Sequence, residues 1–274
     1  MKISSFRKVC LTTWPNAVGL VAILFLSLST LTVSAAPKEK NVLYAATGTF
    51  GVQGVLYTLN PKTGALLTTV GPLNDASGHN YGLTGLRYDA MNGILYGATT
   101  TDSTTDPNYL VTVNPTTAQV TPIGPFGNFL TDIAINPKTG LMYGVSGNNQ
   151  KFYTVNIQTG VATQIGSTGI GFQNGGGLAS TTTGLLYGAN NFSFYTYNKA
   201  NGKATLVGLT LLPDLVKALA FDPTNTLYGM EGGGGTDNTH LRFLVTINRS
   251  TGLGVEIGDS INDLDALAFV PIKQ

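Results

Sequence analysis

The stretch INPKTGLMYG, from Ile135 to Gly144, decides the fold because variants of it recur along the chain. Its Pro and Gly favour a tight turn between two short apolar runs, so the stretch predicts a β-hairpin. Related phrases start at Tyr88, Ala179 and Phe221, where they read YDAMNGILYG, ASTTTGLLYG and FDPTNTLYG. The same hairpin is therefore predicted four times.

A second phrase alternates with the hairpins and ends in Asn. It reads LYTLN, LVTVN, FYTVN, FYTYN and LVTIN, with the Asn at Asn60, Asn114, Asn156, Asn198 and Asn248. Four residues after the Asn stands a Gly, except in the second copy, which has Ala118. Six residues after this position stands another Gly, which in the first copy is displaced by one position to Gly71. The Asn predicts an Asx-turn between two further strands.

Each unit thus contains four short strands, here called a to d from the inside of the molecule outward. The copies lie 42 to 54 residues apart, close to the period of about 40 to 45 residues of four-stranded propeller blades. Strand a is marked by Leu86, Ile133, Leu178, Leu219 and Leu267, and strand b by Tyr44, Tyr96, Tyr143, Tyr187 and Tyr228. The five b-strand tyrosines share one repeat position and are expected to pack blades together.

The count predicts an all-β protein, a five-bladed β-propeller of four-stranded antiparallel blades. Its first strand is a strand b and its last a strand a, so the ring closes when the C-terminal strand joins the N-terminal three strands. Such closure removes free sheet edges. A larger ring that a second chain completes is the alternative.

The run DIAINPKTGLMYGVSGNNQKFYTVNIQTGVATQIG, residues 132–166, resembles the repeat of bacterial secreted and surface-layer propellers of the YVTN and NHL-like type. The resemblance covers Asn41 to Pro271. It departs from WD-type repeats, because those repeats carry a Trp-Asp dipeptide at the end of the third strand, where this chain has Asn. It implies a binding or interaction scaffold, often at the cell surface, and it specifies blade geometry without catalytic residues.

The N-terminal segment has the pattern of a secretory signal peptide. Three cations lie in the first eight residues, an uncharged apolar segment follows, and small residues stand at 33–35. We predict a signal peptide at 1–35 and one propeller domain at 36–274, in a protein that is exported to the periplasm, the cell surface or the medium. An uncleaved anchor is the alternative, because an apolar run of about 20 residues can span a bilayer.

Composition narrows the classes of partner. The only cysteine is Cys10, in the predicted signal peptide, so the exported chain has no thiol and depends on its core. The net charge is +1 and 11% of residues are charged. Without a basic stripe, binding to nucleic acid or to an anionic membrane is not expected. The expected state is a monomer with no membrane span after signal cleavage.

The connections divide between two faces of the predicted ring. The a-to-b and c-to-d turns are short and uniform, and they define the turn face. The b-to-c and d-to-a connections define the long-loop face, which includes residues 72–82, 99–108, 169–176 and 231–240. Function concentrates in loops that a rigid scaffold carries, so the sequence places the ligand on the long-loop face.

Polar residues at the start of strand a predict a ligand site at the mouth of the central channel. They are Thr84, Thr131, Asp132, Lys217 and Asp265. Lys217 and Asp265 belong to adjacent blades and are expected to form either part of a polar ring around a small ligand or an ion pair that plugs the channel.

Carboxylates in the same region suggest two further sites. Asp259, Asp263 and Asp265 are weak candidates for Ca²⁺, without the Gly and Glu of an EF-hand, and solvated turn acids are the alternative. No other cofactor is predicted. Five-bladed glycosidases resemble this ring and use converging carboxylates. The available set is Asp132, Asp265 and Glu231, although Glu231 is expected in a flexible Gly-rich loop, and burial of the aspartates against cations or amides would count against catalysis.

Aromatic residues outside the repeat register predict a surface that stacks on a sugar or a peptide. They are Phe129, Phe172, Phe192 and Tyr81, together with Phe126. The function that the sequence favours is an exported binding module for a glycan or a protein. A polysaccharide hydrolase or lyase and a structural envelope protein are the alternatives.

Overall fold

The computed structural model of the chain describes residues 39–48, 52–147, 149–170, 176–232 and 240–273. These residues belong to one compact unit, Pro37–Gln274. Within them, no helix is long and apolar enough to cross a bilayer. The signal peptide predicted at 1–35 lies outside the described residues.

In the described part of the chain, twenty strands form five antiparallel sheets of four strands each, and each sheet is one blade. The first three strands are β1 (Glu39–Thr47), β2 (Val55–Leu59) and β3 (Leu66–Pro72). Blade 2 contains β4 (Leu83–Asp89), β5 (Ile94–Thr99), β6 (Tyr109–Val113) and β7 (Val120–Pro125). Blade 3 contains β8 (Asp132–Ile135), β9 (Met142–Val145), β10 (Lys151–Val155) and β11 (Ala162–Ser167).

The remaining strands complete the ring. Blade 4 contains β12 (Leu178–Ser180), β13 (Leu186–Asn190), β14 (Ser193–Tyr197) and β15 (Ala204–Leu209). Blade 5 contains β16 (Val216–Phe221), β17 (Leu227–Glu231), β18 (Phe243–Ile247) and β19 (Gly254–Asp259). The last strand, β20 (Leu264–Lys273), pairs with β1 and gives blade 1 the order β20-β1-β2-β3. The predicted five blades and their closure are confirmed.

The five inner strands surround the central channel in the order β20, β4, β8, β12 and β16. Aromatic side chains pack between the blades, as the repeated tyrosines predict. The ring of Tyr187 in blade 4 lies 5.8 Å from that of Phe221 in blade 5, and Tyr228 lies 5.2 Å from Phe269 in blade 1. The hydrophobic core is therefore a series of layers between neighbouring blades.

The predicted Asx-turns are confirmed in all five blades. In blade 3, Oδ1 of Asn156 accepts a hydrogen bond from the backbone N–H of Gln158 at 2.9 Å. The other four asparagines make the same bond to the residue two positions later. The turn ends on a residue with a φ of 59 to 83°, a left-handed conformation that Gly adopts without steric cost.

The second repeated Gly has a role that the sequence did not reveal, because it lets the backbones of adjacent blades meet. A Cβ on Gly166 of blade 3 would lie 1.8 Å from the carbonyl oxygen of Asn201 in the next blade. A Cβ on Gly124, Gly208 or Gly258 would also clash with a carbonyl oxygen of the following blade, at 2.2, 2.0 and 2.6 Å. Only hydrogen fits at these positions, so each Gly fixes the spacing between two blades.

The fifth such contact explains the two irregularities of the repeat. Gly71 faces Ala118, the one non-Gly residue at the turn position, and a Cβ on Gly71 would lie 3.8 Å from the Ala118 methyl group. The pairing of β2 with β3 shifts register twice, whereas each other c-to-d pairing shifts once. The extra bulge absorbs the additional residue before Gly71 and leaves room for a methyl group.

Candidate functional site

One buried side chain closes the central channel. Arg87 extends from β4 across the channel, where its Nε donates to the carbonyl of Leu178 at 3.0 Å and its Nη1 donates to the carbonyl of Leu267 at 2.6 Å. Its Nη1 also donates to the carbonyl of Leu86, and its Nη2 lies 2.5 Å from Oδ2 of Asp132. The acceptors belong to blades 1, 2, 3 and 4, so this arginine joins four of the five blades.

The position of this plug follows from the geometry of the blades. Each inner strand pairs on one side only, so its other edge presents backbone N–H and C=O groups to the channel. Arg87 donates to the carbonyls. Asp132 accepts from the amides, with Leu178 N at 2.8 Å from Oδ2 and Ile133 N at 2.8 Å from Oδ1. The pair therefore satisfies backbone groups that would otherwise be buried without partners.

Asp132 was predicted at the channel mouth, but it lies inside the channel and is fully buried. Burial raises the pKa of its carboxyl, while the Arg87 cation and the two amides lower it. Burial likewise lowers the pKa of Arg87, and Asp132 raises it. Both oxygens of Asp132 already accept hydrogen bonds, and a general acid or base must reach the proton that it transfers. This geometry does not favour a catalytic role for Asp132.

Arg87 could have been noticed in the sequence. It stands one residue after the aligned apolar position of strand a, where the other four copies have Ala134, Ala179, Ala220 and Ala268. A single Arg among four alanines interrupts the repeat at a position that faces the channel. The polar residues predicted at the channel mouth all precede the aligned position, whereas Arg87 follows it.

At the long-loop mouth, the predicted polar residues bond mainly within the protein. The hydroxyl of Thr84 donates to the carbonyl of Thr131 at 2.8 Å, and the hydroxyl of Thr131 donates to the carbonyl of Val145 at 3.3 Å. Lys217 is half-buried. Burial lowers the pKa of its ammonium group, and Asp265 opposes this shift.

Asp265 has a partner that was not predicted. Its Oδ1 lies 3.1 Å from Nη2 of Arg242, an arginine whose side chain is fully buried. Nε of Arg242 donates to the carbonyl of Leu264 at 2.8 Å. Asp265 is therefore buried and paired with a cation, as Asp132 is, which counts against the acid pair that the hydrolase hypothesis requires.

The predicted calcium site is not assembled. Among the described residues, no three His, Cys, Asp or Glu side chains are grouped so that they could hold a metal ion. Oδ1 of Asp263 lies 2.7 Å from Nδ1 of His240, Asp265 pairs with Arg242, and Asp259 ends β19. The three carboxylates thus have separate surroundings.

Glu231 was expected in a flexible loop, and this was wrong. It is the last residue of β17 and is 1% exposed. Its Oε1 accepts from the backbone N–H of Asp214 at 2.7 Å, whereas its Oε2 is buried and has no hydrogen-bond partner among the described residues. Burial raises the pKa of this carboxyl, the hydrogen bond from the Asp214 N–H opposes the shift, and the charges of Glu256 and Asp214 add to it.

This environment predicts a pH-dependent effect of Glu231→Gln. The pKa of Glu231 is higher in the folded state than in the unfolded state, so the folded protein is destabilised least when this carboxyl is protonated. The destabilisation grows as the pH rises above about 4.5, the usual pKa of a Glu carboxyl. The melting midpoint of Glu231→Gln should therefore rise relative to the melting midpoint of the parent protein as the pH goes from acid to neutral. The exposed Glu39→Gln is the control, and a difference that does not change with pH would contradict the assignment.

The aromatic surface predicted on the long-loop face is smaller than expected. Tyr81 is 1% exposed, and its hydroxyl lies 3.1 Å from Asp106 and 3.3 Å from Asp75, so its predicted role as a surface residue is wrong. Phe126 is also buried, in the core of blades 2 and 3. Phe129 is half-buried and Phe192 is 46% exposed. Phe172 lies outside the described residues.

A cavity of about 340 Å³ lies at the other end of the channel, on the turn face. Arg87, Ala179 and Ala220 are at its base, and Pro223 and Pro271 are among the residues at its rim. The sequence had placed the ligand on the opposite face only. It gave no reason to expect a cavity here, because the turns on this face are short and uniform.

Of the comparisons with known proteins, only that with solved structures found similar chains. No protein-family model and no curated protein matches the sequence. The chain is similar to one in the crystal structure of a nidogen/laminin complex, with a TM-score of 0.53 and 12% identity over 84% of this chain and 98% of that chain. A structural genomics protein of unknown function from Bacteroides thetaiotaomicron has a TM-score of 0.49 and 13% identity, over 80% of this chain and 64% of that one.

The first of these likenesses bears on the fold alone. A TM-score of 0.53 at 12% identity shows a shared fold, and a fold of this kind serves many functions. The chain is a β-propeller, and its five blades close through its own first and last strands.

Proposed function

We propose that this chain is an exported binding module that presents its long-loop face to a glycan or a protein partner. One observation carries the choice of a binding function over catalysis. Asp132 and Asp265 are buried and paired with Arg87 and Arg242, so neither supplies the accessible acid and base that hydrolysis of a glycosidic bond requires.

Exposed apolar side chains lie on both faces, and the exposed aromatic ring of Phe192 supports the choice of the long-loop face. Phe192, in the short b-to-c turn of blade 4, is 46% exposed, and Leu211, in the d-to-a connection from blade 4 to blade 5, is 72% exposed. Aromatic side chains on a rigid scaffold provide large contact areas at low cost in conformational entropy. The likeness to a chain of a nidogen/laminin complex is consistent with a protein partner. Ring closure within one chain supports a monomer.

The test is a binding screen of the chain from Ala36 onward against envelope polysaccharides and envelope proteins. For the ligand that binds, Phe192→Ala is expected to weaken binding by tenfold or more, about the loss of an interface anchor. Leu185→Ala, which is 55% exposed on the turn face, is the matched control and should leave binding unchanged. A loss with Leu185→Ala alone would contradict the choice of face.

The same screen separates the alternatives. Release of new reducing ends from a polysaccharide would favour the hydrolase, and release of unsaturated ends would favour the lyase. If neither polysaccharides nor proteins bind, a purely structural role in the envelope becomes the better explanation.

A further inference from the structure

We propose that the cavity on the turn face is a binding site for an indole or phenol ring, which stacks on the flat face of the Arg87 guanidinium. This site is separate from the long-loop face, and nothing in the proposed function requires it.

The orientation of the guanidinium follows from its partners. The five N–H donors of an arginine lie in one plane. Those of Arg87 reach the carbonyls of Leu86, Leu178 and Leu267 and the carboxylate of Asp132. These acceptors surround the channel on four blades, so the plane of the guanidinium lies across the channel. The part of the group that faces the cavity is therefore its flat face.

The hydrogen bonds also determine which ligand chemistry fits. Five contacts occupy the five donors of Arg87, and Asp132 balances its charge. A carboxylate or phosphate would find no N–H available. An aromatic ring needs only the face of the cation, because guanidinium groups stack on aromatic rings through cation–π attraction.

The walls of the cavity suit a flat apolar group. Its volume of about 340 Å³ lies within the range of about 300–1,000 Å³ for small-molecule sites. Ala179, Ala220 and Ala268 leave space beside Arg87, while Phe221 and Phe269 line the sides and are held by neighbouring tyrosines.

The rim distinguishes indole and phenol from plain hydrocarbon. Pro137, Pro223 and Pro271 line it, and proline has a fixed φ and no N–H, so these positions are rigid and apolar. Ser180 and Glu39 also line the cavity and can accept a hydrogen bond from an indole N–H or a phenol O–H.

The sequence provides a direct assay. The only tryptophan of the chain is Trp14, and a chain that starts at Ala36 retains all twenty strands and has no tryptophan. The fluorescence of added N-acetyltryptophanamide then reports binding without a protein indole background. We expect saturable binding, with N-acetylleucinamide about tenfold weaker because it lacks the ring. A short peptide with a central Trp tests whether the ring can also be part of a protein segment.

Variants locate the site. Ala220→Leu places a larger side chain at the repeat position of Arg87 and should abolish binding of the probe, while Ala200→Leu, at an exposed turn position, should not. Melting midpoints show whether each variant folds. If Ala220→Leu does not fold, Ser180→Leu narrows the cavity at a half-buried position and should weaken binding instead.

Three results would overturn the proposal. They are equal binding of the leucine and tryptophan amides, unchanged binding in a folded Ala220→Leu variant, and displacement of the probe by inorganic phosphate, which would indicate an anion site. None of them affects binding of a partner at Phe192, so failure of this site and failure of the proposed function are distinguishable.

Discussion

Replacing Arg87 with methionine is expected to lower the free energy of unfolding by about 3–5 kcal/mol, because the Asp132 carboxylate then remains buried without its cation. The carbonyls of Leu178 and Leu267 also lose a donor. In a chain of this size each kcal/mol moves the melting midpoint by about 2–4 °C, so a fall of about 6–20 °C is expected. Thermal melts of the chain from Ala36 measure it.

Two further variants identify the cause of that loss. In Arg87→Met/Asp132→Asn the buried charge is gone, and the amide oxygen at position 132 can still accept from Leu178 N. The double variant should therefore be more stable than Arg87→Met alone. Lys62→Met removes an exposed cation and should change stability by no more than about 0.5 kcal/mol. If Arg87→Met has the same melting midpoint as the parent protein, the pair of Arg87 and Asp132 does not hold the blades together.

Gly166→Ala is expected to lower the free energy of unfolding by about 3 kcal/mol or more, at the upper end of overpacking effects. The new methyl group would stand 1.8 Å from the carbonyl oxygen of Asn201, and a backbone group cannot move away as a side chain can. Blades 3 and 4 must then separate, and the melting midpoint should fall by about 6 °C or more.

Gly127→Ala is the matched control for this substitution. Gly127 has a φ of 71°, and nothing lies within 4 Å of an added Cβ. Its replacement costs only the left-handed conformation of an alanine, about 1–2 kcal/mol. Equal losses in the two variants would mean that Gly166 matters for its own conformation and not for contact between blades.

The fold could be predicted from the sequence because its signals are local and repeated. The NPKTG turn of blade 3 and the asparagine at the end of each c strand act through residues within a few positions of themselves. The ring closure followed from the order of strands at the two ends of the chain. The repeat position that Gly166 occupies was also visible in the sequence. The physical reason for a Gly there was not visible, because the carbonyl that it faces belongs to another blade.

The candidate site was predicted less well, since its contacts join distant parts of the chain. Asp132 and Asp265 were recognised as residues of the channel region, yet their partners Arg87 and Arg242 were not. The glycines that follow Glu231 predict a loop, although β17 extends to include this residue. Tyr81 breaks the repeat, which predicts a surface residue, whereas it is buried.

By itself, the sequence determined the number of blades, the turns within them and the way in which the ring closes. These features depend on alternation and turn chemistry over a few residues, and the repetition of five units reinforces each signal. Only the tertiary structure decided where the side chain of Arg87 lies and which face of the ring has a cavity. Leu178 and Leu267 lie 91 and 180 positions from Arg87 along the chain, and they come together only when five inner strands converge on one axis.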